Sequence, residues 1–213
     1  MFYCPYSNIT NNYYRAMKMN SCIRVFHASP NAPAVDVYAN GNLIVKDLSY
    51  KELSQYLTVP CGNYNIKVYP SGQMTNPVIN TNVYIPENTV TNIAAIGVLP
   101  SISLLPIQEP ITAQRSGKAC VRFIHLSPNA PAVDIKLTDG TTVFNNVAYK
   151  GITNYVNVPE GTYTFKVSPT GTDNVVLTVP NIKLGADNYY TIYALGLVGK
   201  TPPLEAIAVL EPR

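Results

Sequence analysis

Two short stretches of this chain hold residue types that could do chemistry. His27, Ser29 and Asp36 lie close together, and His125, Ser127 and Asp134 repeat the set. These are the residue types of a hydrolase triad, in which a base touches the nucleophile and an acid orients the base. Here the histidine and serine are only two positions apart, at the end of a strand pattern that runs into Ser-Pro-Asn-Ala-Pro. No glycine-rich elbow flanks the serine. Geometry ranks before residue type, so a structural role is preferred: Ser29 caps the Ser-Pro turn, and His27 or Arg24 pairs with Asp36. If Val35 and Val37 face a core, Asp36 points away from it, as Arg24 does if Ile23 and Val25 point in. An Arg24–Asp36 pair, repeated as Arg122–Asp134, is therefore expected. If solvated, it adds at most about 1 kcal/mol.

Other chemistries find less support. The chain has two histidines in 213 residues, in separate copies, without C-x-x-C or H-x-x-x-H spacing, whereas a transition metal takes three or four ligands. Twelve dispersed carboxylates suggest neither a calcium loop nor the paired acids of a glycosidase. Phosphate-binding glycine motifs are missing, so no cofactor or metal is expected. A net charge of +3 is too mild for a nucleic-acid partner. No apolar run approaches the roughly 18 residues of a membrane span, so no membrane insertion is expected.

The four cysteines, Cys4, Cys22, Cys61 and Cys120, allow three pairings among themselves. All four reduced is the alternative. Cys22 and Cys120 are equivalent repeat positions, Cys61 lies in a Pro-Cys-Gly turn, and Cys4 lies in the first 20 residues. That leading segment is rich in Asn and Tyr, and it reads as a flexible arm. Its residues Phe2, Tyr3, Tyr6, Ile9, Tyr13 and Tyr14 could anchor an added strand on the sheet edge of another subunit, with Cys4 reaching Cys61, Cys22 or Cys120 to lock the contact. A disordered terminus is the plain alternative.

The positioning elements come from an internal repeat. Cys22 to Asp36 and Cys120 to Asp134 agree at eleven of fifteen positions, at an offset of 98. The match continues through Val59-Pro60 and Val158-Pro159, Gly62 and Gly161, Tyr64 and Tyr163, and Gly97 and Gly196. The period is domain-sized, unlike that of a solenoid. The division expected is an arm at 1–20, a first domain at 21–109, a linker at 110–117 and a second domain at 118–213. Tyr64, Ile66 and Val68 alternate with polar neighbours, and Tyr163, Phe165 and Val167 repeat this, which predicts strands with one buried face. Residues 89–98 and 189–198 are apolar on both faces, as central strands are. Turn signals every 8–12 residues predict about seven short strands per copy. A helical turn is predicted at most at 49–56 and 148–155. The fold class expected is all-β, with two tandem immunoglobulin-like antiparallel β-sandwich domains.

The signature R-x-x-H-x-S-P-x-A-P-x-V-D, followed by P-x-G-x-Y, resembles the family called domain of unknown function 4397. The resemblance covers both copies. It implies immunoglobulin- or transthyretin-like sandwiches of surface and secreted proteins, and it brings no established activity or catalytic residues. A secretion signal, usual in that family, is not legible at the start.

Together these readings predict a non-enzymatic structural protein. Its partner is itself, joined head-to-tail into a fibre or layer on a spore or cell surface, with other surface proteins as further partners. It would reach the surface without a signal peptide, the cytoplasm being the alternative location. The competing expectation is a surface adhesion module recognising glycan or protein through loop tyrosines such as Tyr38, Tyr50 and Tyr149.

Overall fold

The computed structural model describes residues 20–113 and 116–211. The arm, with Cys4 and the tyrosines placed on it, lies outside the described residues. The chain divides into two compact units, the first running to Ile111 and the second starting at Thr112. Every regular element in them is a strand. The helical turns predicted at 49–56 and 148–155 are single turns and isolated bridges instead.

The first unit contains β1 (Asn20–His27), β2 (Val35–Ala39), β3 (Asn42–Leu48), β4 (Leu57–Pro60), β5 (Gly62–Pro70), β6 (Ile79–Ile85), β7 (Val90–Val98) and β8 (Ser101–Glu109). The second contains β9 (Ala119–His125), β10 (Val133–Leu137), β11 (Thr142–Val147), β12 (Val156–Val158), β13 (Gly161–Pro169), β14 (Leu177–Leu184), β15 (Tyr189–Leu195) and β16 (Glu205–Leu210). Each unit is a sandwich of two four-stranded sheets. Their orders are β4-β1-β7-β8 and β3-β2-β5-β6 in the first unit, and β12-β9-β15-β16 and β11-β10-β13-β14 in the second.

Two details differ from expectation. Each unit has eight strands, because Ser101–Glu109 and its counterpart form a full edge strand despite Pro106. A proline is tolerated at an edge, where its missing N–H faces no partner. Each sandwich also holds one parallel pair, β1 with β7 and β9 with β15. After β1 the chain visits the opposite sheet twice, returning first as β4, antiparallel to β1, and then as β7, parallel to it.

Period-two alternation fills each sandwich. Ile23, Val25, Val35, Val37, Ile66, Val68, Ile93 and Ala95 form the first core. Val121, Phe123, Val133, Ile135, Phe165, Val167, Ile192 and Ala194 form the second. The strands β1, β9 and β15 are buried along nearly their whole length, on both faces, which accounts for the apolar runs that show no alternation.

Candidate functional site

The signature residues sit at one place in each unit: the end of the first strand, the Ser-Pro-Asn-Ala-Pro loop after it, and the start of the second strand. The geometry does not assemble a triad. His27 Nε2 lies 3.0 Å from the carbonyl of Pro33, inside the loop. The Ser29 N–H points at His27 Nδ1, at 3.4 Å. The Ser29 hydroxyl turns the other way and donates to the carbonyl of Gly97, at 2.7 Å. The second unit repeats each contact: His125 to Pro131 at 3.0 Å, Ser127 N–H to His125 at 3.3 Å, and the Ser127 hydroxyl to Gly196 at 2.7 Å. Both serine hydroxyls are thus committed to main-chain carbonyls. These bonds tie the end of the first strand to the glycine that closes the β7 or β15 pairing.

The expected Arg24–Asp36 pair does not form. Both side chains do point away from the core. However, β1 and β2 belong to different sheets, so the two residues leave the sandwich on opposite sides. Arg24 Nε donates to Asn92 Oδ1 on the neighbouring β7, and its guanidinium lies 4.8 Å from the Tyr56 ring centroid. Asn92 in turn donates to Glu109 Oε1 at 2.6 Å. Arg122 repeats this with Thr191, at 3.0 Å, and with the Tyr155 ring, at 4.7 Å. The arginines are therefore buried beside an aromatic face, a setting that suits the weakly hydrated guanidinium.

Asp36 has a different task. Its carboxylate accepts the N–H of Asp47 at 2.8 Å and of Gly72 at 2.9 Å. Asp47 sits at a bulge in β3, with φ 54°, where the pairing register with β2 shifts. A bulge leaves a residue out of the ladder, and here the carboxylate takes up the stranded N–H. Gly72, with φ 75°, turns the chain from β5 toward β6. Asp134 does the same for Asn146 at 2.7 Å and Gly171 at 3.0 Å, with the Thr170 hydroxyl at 3.2 Å. Burial would raise the Asp36 pKa, but the two N–H donors outweigh it and leave the group below 3.8. At Asp134 the donated N–H bonds are the larger influence, and they also lower it. The bulge residues Asp47 and Asn146 were invisible as such in the sequence. Asp or Asn at a strand end followed by Leu or Val was the only signal.

Burial pushes both histidine pKa values below 6.5, and the carbonyls of Pro33 and Pro131 oppose it only in part. The unfolded chain therefore binds more protons than the folded one once the pH drops under 6.5. Stability is complete above that value and falls as pH decreases toward the folded-state values, by at most about 1.4 kcal/mol per pH unit for each histidine. Urea midpoints measured from pH 7.5 to 5 should show this decline, and the His27→Gln/His125→Gln double variant should show a flatter one.

The cysteine candidates separate by accessibility. Cys22 and Cys120 are each 1% exposed, because β1 and β9 are central strands. Cys22 is disulfide-bonded, and the Cys120 thiol lies 2.9 Å from Asn157 Oδ1. Neither sulfur lies on the surface of its unit. Cys61, in the turn between β4 and β5, is half-buried and carries a free thiol. Tyr50 and Tyr149 stand edge-on to His27 and His125, at 6.2 and 6.4 Å, and Tyr38 stands edge-on to Tyr69 at 5.5 Å. Among the described residues, no group of three or more His, Cys, Asp or Glu could hold a metal ion.

The family model called Domain of unknown function (DUF4397) matches residues 21–136 and 137–211 in consecutive segments. The chain belongs to this family. Among curated proteins nothing matches. Several solved structures are similar at low scores. The C-terminal domain of AlgF from P. aeruginosa is 18% identical, over 45% of this chain and 100% of its own, with a TM-score of 0.35. The CBM26 module from Eubacterium rectale Amy13K, solved with maltoheptaose, is 10% identical over 92% of this DUF4397 chain and 98% of its own, with a TM-score of 0.28. The Bacillus anthracis TIE protein is 17% identical over 88% of this chain and 34% of its own, with a TM-score of 0.25.

Proposed function

We propose that this DUF4397 protein is a non-catalytic structural subunit that assembles head-to-tail into a fibre or layer on a spore or cell surface. One observation carries the reading. In both units the signature His, Ser and Asp spend their hydrogen-bonding capacity on the chain's own loops and turns, which builds a rigid frame and leaves no reactive group poised. Subunits would be linked by residues 2–14 adding as a strand to the sheet edge of another copy. Disulfide formation would harden the contact, with Cys61 the accessible thiol on the body.

Purified full-length protein is the material to test. Concentrating it without reductant should give fibres or sheets in negative-stain electron microscopy and covalent ladders on non-reducing gels. Deleting residues 2–14 should return it to monomers. A full-length protein that stays monomeric by analytical ultracentrifugation at millimolar concentration would overturn the reading.

A further inference from the structure

Two four-stranded sheets per unit leave each unit with four edge strands: β3, β4, β6 and β8 in the first, and β11, β12, β14 and β16 in the second. An edge strand presents unpaired N–H and C=O groups, and proteins protect such edges with short length, charge, proline or bulges. The protection here is uneven. β4 and β12 have only four and three residues. β3 and β11 are interrupted by register shifts where Asp47 and Asn146 bulge. β8 carries Pro106, and β16 begins with Glu205. β14 has three guards together: Pro180, a register shift at positive-φ Asn181, and Lys183.

β6, the counterpart of β14 in the first unit, has none of these. Its seven residues, Ile-Asn-Thr-Asn-Val-Tyr-Ile, contain no charge and no proline. They pair with β5 without a break, from Ile85 opposite Gly62 to Ile79 opposite Val68. Tyr84 faces Asn63 where Lys183 faces Thr162 in the second unit. Asn80, Thr81, Asn82 and Tyr84 are exposed. A groove of about 530 Å³ runs between β6 and β8, lined by apolar Val78, Ile102 and Leu104 and by polar Asn80, Asn82 and Ser103.

We infer that this β6 edge is the acceptor for an added strand, and that its occupant is residues 2–14 of a second copy. The inference rests on the assembly reading above and locates its contact. The segment Phe-Tyr-Cys-Pro-Tyr-Ser-Asn-Ile-Thr-Asn-Asn-Tyr-Tyr is uncharged, as β6 is, and has the same Asn, Thr and Tyr character. Neither strand repels the other, and the Asn, Thr, Tyr and Ile side chains suit a groove lined by both polar and apolar residues. Residues 15–19 link this segment to Asn20, and five residues at about 3.4 Å each span about 17 Å, so donor and acceptor copies would have to lie side by side.

Hydrogen–deuterium exchange on the full-length protein, below and above the assembly concentration, tests this directly. The amides of β6 should slow by about tenfold or more on assembly, and those of β14 should not change. The Asn80→Lys/Tyr84→Lys variant copies the charge guard of β14 at exposed positions, so circular dichroism should stay native. Half-assembly should then need about tenfold more protein, equivalent to about 1.4 kcal/mol, whereas Thr178→Lys on β14 should have no effect. Assemblies that form with β6 still exchanging freely would overturn this inference and leave the assembly reading standing. Protection of β6 that is already complete in dilute monomer would overturn the second-copy occupant. Failure to assemble at any concentration would overturn both.

Discussion

Gly196→Ala should prevent the second unit from folding. An added Cβ would lie 2.0 Å from the carbonyl oxygen of Pro203 and 2.7 Å from its carbon, with Leu204 Cα at 3.2 Å. All three are main-chain atoms held by the following strand, so no side chain can move aside. The backbone there also has φ 78°, which costs an L-residue about 1–2 kcal/mol without any clash. A loss of at least about 4 kcal/mol is expected, a size reserved for enforced overpacking or strain. Gly97→Ala meets the Ser101 carbonyl at 2.4 Å with φ 97°, and should cost the first unit nearly as much. Gly171→Ala is the control. Its φ is 77° but its Cβ would meet open space, so it should cost only about 1–2 kcal/mol. Urea unfolding followed by circular dichroism reads all three. A Gly196→Ala protein with the stability of Gly171→Ala would refute the clash argument.

The second large effect is expected at the carboxylates. Asp134 is 9% exposed and Asp36 is 5% exposed. Each accepts one main-chain N–H from a bulge and one from a turn glycine. Changing either to Ala strands those donors and should cost about 2–4 kcal/mol, because hydrogen bonds to a charged acceptor are strong and a buried donor without a partner is expensive. Asn, which keeps one acceptor oxygen, should cost roughly half as much. Acid supplies a second readout. Both folded-state pKa values lie below 3.8, so the carboxylates contribute fully above 3.8 and their contribution is lost as pH falls through the folded values. The wild-type advantage over the Asn variants, measured by urea midpoints from pH 7 to pH 2, should therefore shrink at the acid end. An advantage that does not change with pH would show that the ionised form is not what braces the bulge.

The carboxylates also show how far residue patterns carry. Strand parity placed Arg24 and Asp36 correctly on the outside of the sandwich, since alternation is a local property of a strand. It could not tell which sheet each strand joins. Sheet membership depends on pairing across some 70 residues, as in the β1–β7 register, and so the predicted ion pair was wrong. The repeat marked His27, Ser29 and Asp36 as structural residues, because they recur as His125, Ser127 and Asp134, but the expected cap of the Ser-Pro turn is instead a bond from the Ser29 hydroxyl to Gly97. The partners of these side chains stayed hidden, because they are main-chain carbonyls and amides that any residue could supply. The burial of Cys22 and Cys120 was hidden for a related reason. Their position near the start of a domain suggested access, whereas the strand they begin is central. β8 was missed as a strand because Pro106 interrupts its pattern, although an edge tolerates it.

The parallel pairing of β1 with β7 has a consequence for biosynthesis. Cys22 meets Val90, and His27 meets Ala95, so the opening strand of each unit stays without its central neighbour until almost the whole unit has been translated. Such distant pairings are slow to close. On a ribosome adding about 5–20 residues per second, the nascent first sandwich must wait several seconds with an apolar ribbon uncovered, and nascent chains released before Val98 should be captured by chaperones or degraded.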